Sequence, residues 1–364
     1  MANFRKRALD VLKGQKPDRL PWFADLSWWR LGEKSAGTLA PNFDGEPEGY
    51  VNLHRTLCAG LYLPLVWPYR VKIDCPQKTE RKGNCEFYIY ETPLGTLTET
   101  HLLMPEAATW AYGERLLKSA ADIPALRYFI EAHQFEDARE DPDRWNDAYG
   151  EAGLPVVWVP RSPLSRMFVE IAGVETTVFA LYENPEEMNA LFDLMRSMDD
   201  EPYKYAAATK CDLVMIADNL SSEIVSPSLF RKHSLEYYSA RIRQLHESGK
   251  YVLAHIDGAL RGLLPILNES GLDAAEGVTP APVGDVSPEE LRSVAGEGMI
   301  LWGGIPGALF SPAHSDEEFL KYARRYAEIA RADGRMILGV GDQVPPGADL
   351  RRVRMVAEIC ENYS

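Results

Sequence analysis

The sequence predicts an α/β chain folded as a (β/α)8 TIM barrel, and three observations predict it. About eight short apolar runs recur in order along the chain. Stretches of helical character separate most of them. The runs are continuous rather than alternating, as parallel strands buried on both faces require.

Residues 3–14 read as an amphipathic helix stopped at Gly14. Leu20–Phe23 and Leu61–Trp67 follow as the first two strands. Glu86–Glu91 alternates like a strand, turns through Thr92-Pro-Leu-Gly95 and returns over Thr96–His101, a hairpin signal. Residues 134–152 are polar and acidic and read as a surface insertion. From Val156 the rhythm becomes regular. The strands are Val156–Val159, Leu213–Ala217, Tyr251–His255, Leu272–Glu276, Met299–Gly303 and Met336–Val340. Helices are expected up to about Met198, with a start at Asn184-Pro185, and then near 228–248, 259–269, 287–295, 316–332 and 348–362. A barrel needs ~250 residues. The chain has 364, and the excess is assigned to an insertion at about 70–152, between strands 2 and 3, that carries the hairpin. One domain over 1–364 is expected, with a doubly wound sheet as the alternative.

Composition narrows the function. Hydrophobic residues make up 46%, which excludes a largely disordered chain. With 39 Lys and Arg against 54 Asp and Glu, the net charge is −15. That argues against nucleic-acid partners, whose phosphates need clustered cations. The N-terminal charges are followed by no apolar core, so no secretory signal is expected. No apolar run approaches the ~18–20 residues of a membrane helix. The five cysteines, Cys58, Cys75, Cys85, Cys211 and Cys360, form no C-x-x-C pair. Reduced thiols in the cytoplasm are expected.

In a TIM barrel the chemistry lies just past the C-terminal strand ends. Those positions hold Asp25 with Trp28, Trp29 and Arg30, then Arg161, Asp218, His255 with Asp257, Glu276, Gly303-Gly304, and Asp342 after Gly339-Val-Gly341. Two carboxylates 5 Å apart repel by about 3 kcal/mol at an effective dielectric near 20. Five at one mouth therefore need a cation, a raised pKa or an arginine partner. Any one of them could instead cap a helix. His255 and Asp257, two apart on a strand, face one side, and imidazole and carboxylate both suit zinc. With Glu276 on the neighbouring strand, three donors could surround one ion. Trp28, Trp29, Trp67 and Trp302 could wall the pocket or fill the core. No G-x-G-x-x-G, P-loop or G-x-S-x-G pattern is present.

Several motifs resemble the uroporphyrinogen decarboxylase-like superfamily. They are Arg7-Ala-Leu-Asp-Val-Leu12 with Asp18-Arg-Leu-Pro21, Ser226-Pro-Ser-Leu-Phe230, Gly249-Lys-Tyr-Val-Leu-Ala-His255, Leu301-Trp-Gly-Gly304, and Gly339-Val-Gly341 followed by Pro345-Pro346. The resemblance implies a TIM barrel. It also implies either porphyrinogen decarboxylation or zinc-dependent methyl transfer serving corrinoid proteins or coenzyme M. The decarboxylases carry an R-Q-A-G-R-Y loop after strand 1, where this chain has Asp25-Leu-Ser-Trp-Trp-Arg30. They carry an Asp after strand 2, where it has Trp67-Pro68, and a His between the last two glycines, where it has Val340. The methyltransferases carry H-x-C after strand 5 and a Cys between those glycines. This chain keeps His255, replaces the first Cys by Asp257, and has Asp342 two residues beyond Val340. An N/O donor set is a stronger Lewis acid than a thiolate set.

The expectation is therefore a metal-dependent methyltransferase that moves a methyl group between a small methylated substrate and a corrinoid carried by a partner protein, or another acceptor. Asp218, His255 and Asp342 would be catalytic. Asp25, Trp28, Trp29, Arg161 and Trp302 would bind substrate. His255, Asp257, Glu276 and Asp342 would hold zinc or another divalent metal. The alternatives are a decarboxylase of porphyrin biosynthesis and a non-catalytic barrel that binds a small molecule.

Overall fold

The computed structural model describes residues 3–362; Met1 and Ala2 of the N-terminal stretch read above lie outside them. In chain order the strands are β1 Trp22–Phe23, β2 Tyr69–Ile73, β3 Gln77–Lys82, β4 Cys85–Thr92, β5 Gly95–Met104, β6 Thr109–Tyr112, β7 His133–Asp137, β8 Val156–Val159, β9 Leu213–Leu220, β10 Tyr251–Ile256, β11 Ala274–Val278, β12 Ile300–Pro306 and β13 Met336–Gly341. No described helix is long and apolar enough to cross a membrane.

The chain divides into two compact units. The first comprises the residues up to Pro68, Arg139–Val159 and the residues from Ala206 onward. It holds a parallel sheet in the order β1-β13-β12-β11-β10-β9-β8. The two edges of that sheet are joined through residues 60–66, by parallel bridges Phe23–Gly60, Leu61–Gly153 and Val66–Val157. The result is an α/β, TIM-barrel-like architecture. The apolar runs became its strands because both faces are covered: β11, β12 and β13 are buried at every position. Phe23, Tyr62, Met215, Leu253, Ile300, Trp302 and Ile337 fill its interior.

The run expected as strand 2 contributes bridges rather than a regular strand. Pro64 removes a backbone donor from its middle, which interrupts a ladder. The stretch read as a polar surface insertion also behaves differently. Residues 140–149 form a helix in the first unit. Its Trp145 and Tyr149 are buried against Tyr50, Val51 and Leu61, while its acidic side faces water.

The second unit comprises Tyr69–Ala138 and Pro160–Tyr205. It contains an antiparallel β2–β7 pair and an antiparallel sheet in the order β3-β4-β5-β6. β4 and β5 pair from Cys85–Leu102 to Thr92–Gly95 across the Thr92–Gly95 turn. Helices Ile123–Glu131, Val174–Glu183 and Pro185–Met198 accompany these sheets.

Candidate active site

Asp218, His255, Glu276 and Asp342 all stand at the C-terminal ends of parallel strands in the first unit, at one end of the sheet. The backbone there is irregular. The register between β10 and β9 shifts around His255, and that between β11 and β12 shifts at Gly277. Gly277 has φ +78, and a Cβ on it would fall 2.7 Å from His255 Cε1, so its missing side chain seats the imidazole. Asp342 and Asn219 adopt φ of +68 and +52 without being glycine. Such strain persists where a site over-determines it.

His255 is the centre of the arrangement. Its Nδ1 lies 2.7 Å from Glu276 Oε2. The other Glu276 oxygen, Oε1, accepts from the Tyr62 hydroxyl at 2.8 Å. Nε2 of His255 points the other way, 3.7 Å from Asp342 Oδ1, too far for a hydrogen bond. Burial alone lowers the His255 pKa. The charge of Glu276, its hydrogen bond and the charges of Asp342 and Asp257 outweigh that and raise it to about 9. A pKa so raised favours the protonated ring at neutral pH, with Nδ1 paired to Glu276 and Nε2 turned toward Asp342. Burial raises Asp342 to about 6 against the opposing pull of His255, with Asp25, Glu276 and Asp257 adding to the rise.

Asp25 is 2% exposed. Its Oδ1 accepts from the backbone N and hydroxyl of Ser27, and its Oδ2 from Gln343 Nε2. Burial raises its pKa. It therefore anchors the start of helix Ser27–Ala36 as well as lining the acidic end. Trp28 and Trp29 lie half-buried on that helix. Arg30 spends its guanidinium on Phe43 O, Gly45 O and Glu46, stacked 4.1 Å over Tyr50. Asp218 is buried and accepts from the Tyr238 hydroxyl at 2.9 Å. Arg161 belongs to the second unit, where its Nε donates to Glu170. Trp302 is fully buried, 4.8 Å from the Tyr62 ring and 5.0 Å from Phe23, so it sits in the core of the sheet. Trp67 is exposed and stacks on Trp158 at 4.7 Å.

The four expected metal donors do not form a ligand set. Among the described residues no three His, Cys, Asp or Glu side chains group as metal ligands. Glu276 turns both oxygens to Tyr62 and His255, and Asp257 is exposed. His255 Nε2 and Asp342 Oδ1 are the pair left facing each other. A three-ligand ion does not fit this arrangement.

Tyr62, Ser27, Gln343 and Tyr238 were missed in the sequence. Tyr62 left one trace, as the only hydrogen-bonding side chain before Trp67 in the apolar run from Leu61. Gln343 directly follows Asp342 and could have been read with it. Nothing in the sequence pairs Tyr238 with Asp218.

A family model described as uroporphyrinogen decarboxylase (URO-D) matches residues 153–363. A solved methyltransferase from Methanosarcina mazei superposes over 100% of this chain and 99% of its own, with a TM-score of 0.65 and 14% identity. The D-psicose 3-epimerase from Clostridium cellulolyticum H10, solved with D-tagatose, covers 62% of this chain and 82% of its own, with a TM-score of 0.36 and 9% identity. No curated protein sequence matches. At 14% identity the likeness to the methyltransferase is one of fold.

Proposed function

Since the chain belongs to the uroporphyrinogen decarboxylase family, we propose that it is an enzyme of the methyl-transferring kind, with His255 as its proton donor. In this reading residues 60–66 act as the second of eight barrel strands, and a small methylated compound binds at the acidic end of the sheet. The observation that carries it is the Glu276–His255 pair, which favours a protonated ring whose Nε2 faces Asp342 at 3.7 Å, beyond hydrogen-bonding distance.

A methyl ether is a poor donor because its leaving oxygen departs as an alkoxide or phenoxide. Protonation of that oxygen in the transition state removes the obstacle. The substrate oxygen would take the place facing Nε2, at ~2.8 Å. The methyl carbon then passes to the acceptor as the C–O bond breaks, and the oxygen leaves with His255's proton. Glu276 fixes the ring through Nδ1 and stabilises its charge before transfer, while Tyr62 fixes Glu276. Asp342, beside Nε2, favours the protonated ring. A corrinoid carried by a partner protein would supply the nucleophile that accepts the methyl group. The donor set does not fit a three-ligand metal, so no step is assigned to one.

Decarboxylation of a porphyrinogen polyacid is disfavoured on the same geometry. The carboxylates at this end are met by hydroxyls, an amide and one imidazole. The nearest guanidinium along the chain after β1, Arg30, is already saturated. An acidic mouth repels a polyanion.

The test is methyl transfer from a panel of small aryl and alkyl methyl ethers and methylamines to reduced cobalamin. Turnover is expected with at least one donor, falling about 10²-fold or more in His255→Asn, within the usual range for a general acid. Formation of coproporphyrinogen from uroporphyrinogen, with no methyl transfer from any donor, would overturn the assignment.

A further inference from the structure

The opposite end of the first unit holds a cavity unlike the mouth. It opens beside the residues that precede β1 and β13, with a volume of about 350 Å³. Four cations line it: Lys16, Arg19, Arg331 and Arg335. No carboxylate lines it, in a chain whose net charge is −15. Its floor is apolar, from residues such as Leu20 and Met336.

Asp333 and Asp18 are engaged by arginines outside the lining, while Glu361 is shared with one lining cation, Arg19. Asp333 is held by the fork of Arg292. Asp18 is held by Arg7. Glu361 bonds Arg7 and stands 3.8 Å from Arg19 Nε. The Nε atoms of Arg19 and Arg335 are both buried with no hydrogen-bond partner among the described residues, an arrangement that costs free energy and that the ion pair with Glu361 offsets only at Arg19. Arg335 reaches Gly298 O through Nη2. Its Nη1 packs beside Gly14, where a Cβ would stand in ordinary contact at 3.6 Å.

We propose that this cavity is a second binding site, separate from the acidic mouth, for a small organic anion with an apolar body and a phosphate or carboxylate head. Guanidinium forks match either head in a bidentate manner, and the volume suits a small molecule rather than a protein segment. The lining cations lie at the N-terminal ends of the strands, away from the acidic C-terminal ends, so an anion excluded from one end finds its counter-charge at the other.

Calorimetric titration of the full chain with hexyl phosphate, hexanoate and inorganic phosphate tests this. Saturable one-to-one binding of a hexyl anion is expected, at least tenfold tighter than inorganic phosphate. Burial of two methylenes suffices for that factor. Affinity should fall with salt. The double variant Lys16→Glu/Arg331→Glu should weaken binding at least tenfold with an unchanged thermal melt, and Arg335→Gln provides an independent second variant. A preference for hexyl phosphate identifies a phosphorylated ligand, and equal or better binding of hexanoate identifies a carboxylate; both support the site. No saturable binding of either, binding indifferent to charge reversal, or binding lost in His255→Ala would overturn it.

Discussion

The two ends of the parallel strands handle acidic residues in opposite ways. At the N-terminal ends, carboxylates meet cations. Asp212 pairs with Arg5, and Asp333 takes a two-pronged bond from Arg292 at 2.6 and 2.8 Å. Asp273 binds His246 and the backbone N of Val252. At the C-terminal ends, Asp25 meets Ser27 and Gln343, Asp218 meets Tyr238, and Glu276 meets Tyr62 and His255. Neutral donors replace guanidinium groups there. At the first end the carboxylates are neutralised by ion pairs. The second keeps negative potential that a single imidazolium answers, which is how a proton becomes available at one atom.

The comparison breaks most directly at Arg292. Arg292→Ala leaves Asp333, whose side chain is 7% exposed, without its charge partner. Loss of a buried partner costs about 3–5 kcal/mol, to be read from urea unfolding. A loss under about 1 kcal/mol would show that ion pairs do not hold this end.

At the other end the pH dependence carries the contrast. His255 is raised from an ordinary 6.5 to about 9, so its charged form is favoured in the fold. Its stabilising contribution is complete below pH 6.5 and is lost as pH rises through 9. The loss should reach at most about 3 kcal/mol. Melting profiles between pH 6.5 and 9 should slope downward in the wild type and flatten in His255→Gln. Equal slopes would remove the imidazolium from the site.

Glu276→Gln sharpens the same point. Without the carboxylate, burial works against only Asp342 and Asp257, and the His255 pKa should fall well below 9. NMR titration of the ring protons measures it, and a value still near 9 would assign the charge to another group. Smallest is Tyr62→Phe, which removes one hydrogen bond to Glu276. About 1 kcal/mol of stability should be lost, with the His255 pKa shifting less than in Glu276→Gln.

Much of this was legible in the chain. Val156–Val159 is a strand with the bounds that its composition suggested, and the runs beginning at Leu213, Tyr251 and Met336 became β9, β10 and β13. Continuous apolar runs leave a buried parallel strand little alternative. Leu61–Trp67 makes isolated parallel bridges instead of a regular ladder, because Pro64 lacks a donor and apolar composition does not register that. Residues 140–149 were misread because their acidic face hid Trp145 and Tyr149.

The sequence by itself placed Asp218, His255, Glu276 and Asp342 at strand ends, since order and periodicity are local properties of the chain. It could not say which oxygen faces which donor. The His255–Glu276 bond joins residues 21 apart, and the Tyr62–Glu276 bond joins residues 214 apart. Those pairings exist only once the strands stand side by side in register and the 60–66 segment lies between the sheet's edges. The tertiary arrangement gave Glu276, expected as a metal ligand, the partners His255 and Tyr62, because a buried carboxylate takes donors that satisfy it.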